Sequence, residues 1–90
     1  MKKPRRKRSR EDGRTAKRFR KALGLALKKL RLRLKITQQA ASEKVGLSGS
    51  SAIANVERGT NSPTLLGLFR LSKVYKFSID ALFDALKIKE

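Results

Sequence analysis

The chain of 90 residues has no cysteine, no histidine, two prolines and only seven acidic residues. Without Cys or His there is no thiol or imidazole nucleophile, no disulfide, and little ligand chemistry for zinc. Carboxylates do not cluster; Glu11 and Asp12 are adjacent but lie in a basic N-terminal stretch. Isolated Ser and Lys residues without a partner base do not make a nucleophile. An enzyme is therefore not expected, nor a metal or other cofactor. No apolar run approaches the roughly 18 residues of a membrane span, and the basic first residues are not followed by the apolar core of a signal peptide. Strand alternation, internal repeats and heptads are missing as well.

What the chain does have is positive charge. Its 24 Lys and Arg give a formal net charge of +17. Residues 1–22 hold 12 of these cations and 2 acids, and residues 23–90 hold 12 and 5. The first segment lacks the apolar residues to order itself, so residues 1–20 are expected as a flexible, disordered basic arm and residues 21–90 as one folded domain. A polyanion is the natural partner of such a balance; a solubilising tail is the bland alternative. The run Lys2 to Arg8 also matches a nuclear-localisation signal, as any basic arm would.

The apolar spacing predicts an all-α, five-helix domain. Helix 1 is expected from about Ala16 or Lys21 to Lys35, with Leu23, Leu27, Leu30 and Leu34 on one face. Leu25, Leu32 and Ile36 form a second stripe about 180° away at 100° per residue. One core cannot cover both faces, so this stripe either meets another chain or is simply exposed. Helix 2 is expected over about Gln38 to Val45, capped by Thr37 and closed by Gly46. Helix 3 follows over about Ser50 to Arg58, with Ile53 and Val56 inward and Gly59 at its end. Ser62 and Pro63 are expected to start helix 4, whose buried side is Leu65, Leu68, Leu71, Ser72 and Tyr75. Helix 5 begins after Ser78, has Asp80 in its first turn, and carries Ile79, Leu82, Phe83 and Leu86.

From Leu27 to Leu82 this order of residues resembles the helix-turn-helix domain of the lambdoid Cro and repressor type, also called XRE-like. The landmarks are Leu27-x-x-Leu30-Arg31, Thr37-Gln38 and Val45-Gly46-Leu47-Ser48. Ile53-x-x-Val56-Glu57-Arg58-Gly59, Asn61-x-Pro63, Leu68-x-x-Leu71 and Ser78-Ile79-Asp80 with Leu82 complete them. Four features depart from the family pattern. Ala40 stands where an acidic residue is usual, so no capping box forms with Thr37. Ala41-Ser42 replaces a usual Leu-Ala, so helices 2 and 3 must approach more closely or be filled from elsewhere. One extra residue lies between Gly46 and Ile53, with Gly49 expected to absorb it. Lys76 stands where Gly often ends helix 4, which predicts mild strain.

The resemblance implies binding of double-stranded DNA, with helix 3 in the major groove. Ser50, Ser51, Ala52, Ala54 and Asn55 would face the bases. Ser and Asn can exchange hydrogen bonds with base edges, and Ala methyls can rest on thymine methyls. Gln38, Gln39, Arg58, Thr60 and Asn61 are expected at phosphates. Arg31 and Glu57 match a pair that forms an internal salt bridge in relatives, so a partly buried bidentate contact is expected. The arm would lie along phosphates rather than enter a minor groove or fold on contact. The expected protein is a homodimeric, steric repressor of bacterial or phage origin, cytoplasmic and nucleoid-associated. Its dimer surface would be Ile79, Leu82, Phe83 and Leu86, or the second stripe of helix 1. Three readings remain beside it: an antitoxin or other interaction protein using Leu25, Leu32 and Ile36, a nucleic-acid-coating protein dominated by the arm, and a membrane-active helix 1.

Overall fold

The structure is a computed structural model that describes residues 5–47 and 49–87, with side chains from residue 13 onward. Lys2, Lys3 and Pro4 of the basic segment and Ser48 of the turn lie outside the described residues. Five helices follow one another: α1 (Arg5–Arg33), α2 (Gln38–Lys44), α3 (Ser51–Glu57), α4 (Leu65–Tyr75) and α5 (Ile79–Leu86).

α1 starts at Arg5, ahead of the Ala16 or Lys21 expected for helix 1, so its first turns reach into the basic segment. Lys, Arg and Ala are good helix formers, and no proline interrupts the stretch, although Gly13 weakens it. Phe19 anchors this extension with an edge-on contact to Phe83 of α5, ring centroids 5.7 Å apart.

Four of the helices end with the same hydrogen-bond pattern. A residue in the left-handed region follows the helix, and the next N–H reaches back to a carbonyl five residues earlier. The pairs are Ile36 to Arg31, Leu47 to Ser42, Thr60 to Asn55 and Phe77 to Ser72. The left-handed residues are Lys35, Gly46, Gly59 and Lys76. Glycine takes this position without cost, whereas the two lysines accept some strain. The pattern explains one correction. The turn at Lys35 swings Ile36 off the outer face of α1 and packs it against the core, so Ile36 leaves the second stripe. Gly49, in contrast, does not adopt a positive φ. Its part in the turn is a carbonyl that accepts the hydroxyl of Ser42.

Capping holds three helix starts. The hydroxyls of Thr37, Thr64 and Ser78 accept the N–H groups of Ala40, Gly67 and Ala81. The cap of α4 is therefore Thr64, not Ser62, and Pro63 sits outside the helix. Leu65 is thus the first residue of α4, one turn before the buried Leu68, and it is 82% exposed, against the expectation that it is buried. Leu34, also expected inside, is 42% exposed, because it lies past the last turn of α1.

Leu23, Leu27, Ala41, Val45, Ile53, Val56, Leu71, Tyr75 and Leu82 make the core, with Leu68 also buried. Its tightest crossing is α1 on α3. A Cβ on Gly24 would stand 2.2 Å from the Val56 carbonyl oxygen and 2.8 Å from that of Glu57. Only glycine lets the two backbones meet. The prediction is that Gly24→Ala destabilises by about 2 kcal/mol or more, since overpacking against backbone outweighs the ~1 kcal/mol gained in helix propensity. A denaturation midpoint equal to or above the parent's would contradict the close crossing.

Candidate nucleic-acid interface

α3 is short, and its two faces differ sharply. Ile53 and Val56 are buried, 3% and 9% exposed. At 100° per residue, the direction opposite them is occupied by Ser51, Asn55 and Arg58, with Ala52 and Ala54 on the flanks. Ser51, Ala52 and Arg58 are exposed, and Ser50, Ala54 and Asn55 are half-buried. No described residue of α3 before Glu57 is charged. The outward face therefore presents hydroxyl, amide and methyl groups, all able to meet base edges without the desolvation cost of an ion.

Asn55 is held in place from two sides. Its side-chain carbonyl accepts from the Arg58 guanidinium, and its backbone carbonyl accepts the N–H groups of Thr60 and Asn61. The exposed loop residues Thr60 and Asn61 are thus folded back over the end of α3. At the other end, Ser50 gives no side-chain cap. The start of α3 is tethered instead through Ser42 of α2, fully buried and bonded to Gly49. The small pair Ala41 and Ser42, both 0% exposed, is where α2 and α3 meet. The missing apolar volume is answered by close approach and one hydrogen bond.

A buried polar cluster fixes this pair of helices to α1. Arg31 donates Nε to Glu57 Oε2 at 2.6 Å and Nη2 to Oε1 at 3.1 Å. The remaining Nη1 donates to the Ile36 carbonyl at 2.8 Å. Gln38 donates Nε2 to Glu57 Oε1 at 2.9 Å. The Arg31 and Glu57 side chains are 8% and 4% exposed. The hydrogen bonds that Arg31 donates to Glu57 raise its pKa above the ordinary value, with burial opposing them. Tyr75 lies in the same surroundings. Burial pushes its phenol up to about 12, the Glu57 charge adds to this, and Arg31 works against it.

The site residues expected from sequence separate into two groups. Ser50, Ser51, Ala52, Ala54, Asn55, Arg58, Thr60 and Asn61 lie on α3 and the loop behind it. Gln38 and Gln39 begin α2; Gln38 bonds Glu57, and the exposed Gln39 donates to Glu43 at 3.0 Å. Sequence reasoning missed the buried Ser42 and the Gln38 bond to Glu57. A polar residue at an apolar family position was the available signal for the first. The second had none, because it depends on a tertiary contact.

A helix-turn-helix family model matches residues 27–82. It covers the last turns of α1, all of α2, α3 and α4, and α5 as far as Leu82. No curated protein and no solved structure matches the chain.

Two outcomes follow from the polar cluster. Glu57→Ala strands Arg31 in the interior and should cost about 3–5 kcal/mol in chemical denaturation, against under about 1 for an exposed pair. A midpoint near the parent's would mean the pair is not buried in solution. Tyr75 should make stability fall at high pH. An unfolded Tyr ionises near pH 10 and the folded one near 12, so its contribution is whole below about pH 10 and disappears toward pH 12. Tyr75→Phe should flatten that limb of a stability-versus-pH curve; an unaltered limb would assign it to other groups.

Proposed function

The chain belongs to the helix-turn-helix family and is an XRE-like DNA-binding protein, and from that premise we propose that it is a sequence-specific, homodimeric repressor. The observation that carries the reading is the outward face of α3. Its Ser51, Ala52 and Asn55 are directed away from the core while Ile53, Val56 and Glu57 secure the opposite side. Such a helix enters a major groove and reads a few base pairs. Asn55 pairs with adenine through both ends of its amide. Its carbonyl oxygen has a second lone pair beyond the one used by Arg58. Ser50, Ser51, Ala52 and Ala54 complete the base contacts. Arg58, Thr60 and Asn61 meet phosphates behind the recognition helix. Gln38 does so in front, with the second hydrogen of its amide, and Gln39 lies beside it. A bound dimer blocks polymerase by its bulk.

The dimer surface is better supported on α4 than where the sequence placed it. Leu82 is buried and Leu86 packs on the core, which leaves Phe83, 40% exposed and partly covered by Phe19, as the large apolar side chain α5 offers. Leu25 and Leu32 of α1 are 53% and 54% exposed, yet Lys28, Lys29 and Arg33 flank them and would face their own copies. Leu65, Leu66 and Phe69 are 82%, 55% and 51% exposed and share one face of α4. The stretch from Thr64 to Phe69 has no charge, which suits contact with a second copy of a strongly basic chain. A second reading, an antitoxin or other interaction protein, is favoured by the exposed Leu25 and Leu32 alone. Their basic flanks fit an acidic partner.

Selection of bound sites from a random DNA library tests the reading. The parent should select a palindrome with half-sites about one helical turn apart. Asn55→Ala should lose about 1–3 kcal/mol on that site and relax one position in it, with binding to random DNA unchanged. Equal affinity for selected and random DNA would reject sequence reading. A monomeric mass at tens of micromolar, with and without DNA, would reject the dimer; Leu66→Glu should produce that monomer without loss of fold.

A further inference from the structure

Residues 13–26 of α1 lie outside the matched residues 27–82 and carry a cationic surface next to the folded domain. Arg14, Lys17, Arg18 and Lys21 stand at i, i+3, i+4 and i+7, which places them on one helical face. All four are exposed, and among the described residues they line an open groove of about 520 Å³. That face has no apolar residue between Arg14 and Lys21; the first is Leu25.

Three contacts fix this face relative to the end of α3. Phe19 packs on Phe83. Arg20 donates Nε to the Gly59 carbonyl at 3.3 Å. Lys21 lies so close that a Cβ on Gly59 would stand 2.9 Å from its Cγ and 3.0 Å from its Cα. Gly59 is followed directly by Thr60 and Asn61. The cationic row therefore starts beside the loop that closes the recognition helix and runs outward from it. Between Arg14 and Lys21 it covers about 10 Å of helix axis at about 1.5 Å per residue. That equals about three phosphates of one strand at about 3.4 Å each.

We propose that Arg14, Lys17, Arg18 and Lys21 form a second, preordered phosphate-binding row, which grips one DNA strand beyond the base pairs read by α3. The inference rests on the DNA-binding reading above and adds to it a place and a register. A protein partner fits this row poorly, because a stable protein interface has an apolar centre and the row has none. A polyanion needs only spaced cations, and a row held by the fold delivers them without the ordering cost of a flexible tail.

The test is the salt dependence of binding to the selected site by three proteins. These are the parent chain, an Arg14→Gln/Lys17→Gln/Arg18→Gln variant, and a Lys44→Gln/Lys73→Gln/Lys87→Gln control of equal charge. The first three substitutions are at exposed positions, so folding is not at stake, and a thermal melt checks it. Each lost phosphate contact lowers the slope of log K against log salt by about 0.9, so the row variant should lose about 2 to 3 and the control under about 1. A hydroxyl-radical footprint should shorten by about three base pairs at the outer edge of each half-site. Equal slopes for parent and row variant, or an equal drop in the control, would overturn the row while leaving base reading intact. A parent chain that binds no DNA would overturn both.

Discussion

The contact between Arg31 and Glu57 is the constraint on which the working geometry depends. Arg31 is near the end of α1, and Glu57 is the last residue of α3. Through Nη1 the same guanidinium holds the Ile36 carbonyl, and through Gln38 the same carboxylate holds the start of α2. One buried charge pair thus ties the end of α1, the start of α2 and the end of α3 together. Among described residues no buried side-chain nitrogen or oxygen lacks a partner. A buried ion pair earns little net stability against an apolar replacement. Its value here is positional, because a charge pair with four directed hydrogen bonds permits one arrangement of helices where greasy side chains would permit several.

Around that pair the backbone comes unusually close. Gly24 lets α1 touch the carbonyls of Val56 and Glu57, and Gly59 lets the row at Lys21 touch the end of α3. Ala41 and Ser42 do the same between α2 and α3. A helix of seven residues is too short to be stable by propensity alone. α3 persists because it is clamped at the start through Ser42 and Gly49, beneath by Ile53 and Val56, and at the end by Glu57 and the Asn55 carbonyl. The small residues bring these clamps within reach.

Charge is divided by task. The outward face of α3 holds no charge before Arg58. The cations lie beside it on Arg58 and on α1, where attraction to phosphate adds affinity without choosing a sequence. α4 keeps an uncharged apolar end that a like-charged copy can approach. Separating these surfaces on a chain with net charge +17 prevents the strong basic field from dictating every contact.

The order of five helices, the inward Ile53 and Val56, the capping by Thr37, the left-handed turn at Gly46 and the end of α3 at Gly59 were legible in the sequence. These features are local: each depends on periodicity or on a residue's own backbone and capping chemistry. The start of helix 1 stayed open between Ala16 and Lys21 in the sequence, because composition does not say whether Phe19 finds Phe83 across the fold. Leu65 and Ile36 were assigned to the wrong surfaces for a related reason. A place at the very start of a helix or a single left-handed turn takes a side chain off the face its spacing suggests. Gly24 carried no sequence signal at all, since a glycine within a helix is indistinguishable from a weak spot until a second backbone lies against it. The sequence by itself determined which segments are helices and that the partner is anionic. The tertiary structure alone decided which faces are free, because exposure is a property of what packs across the chain and not of what adjoins along it.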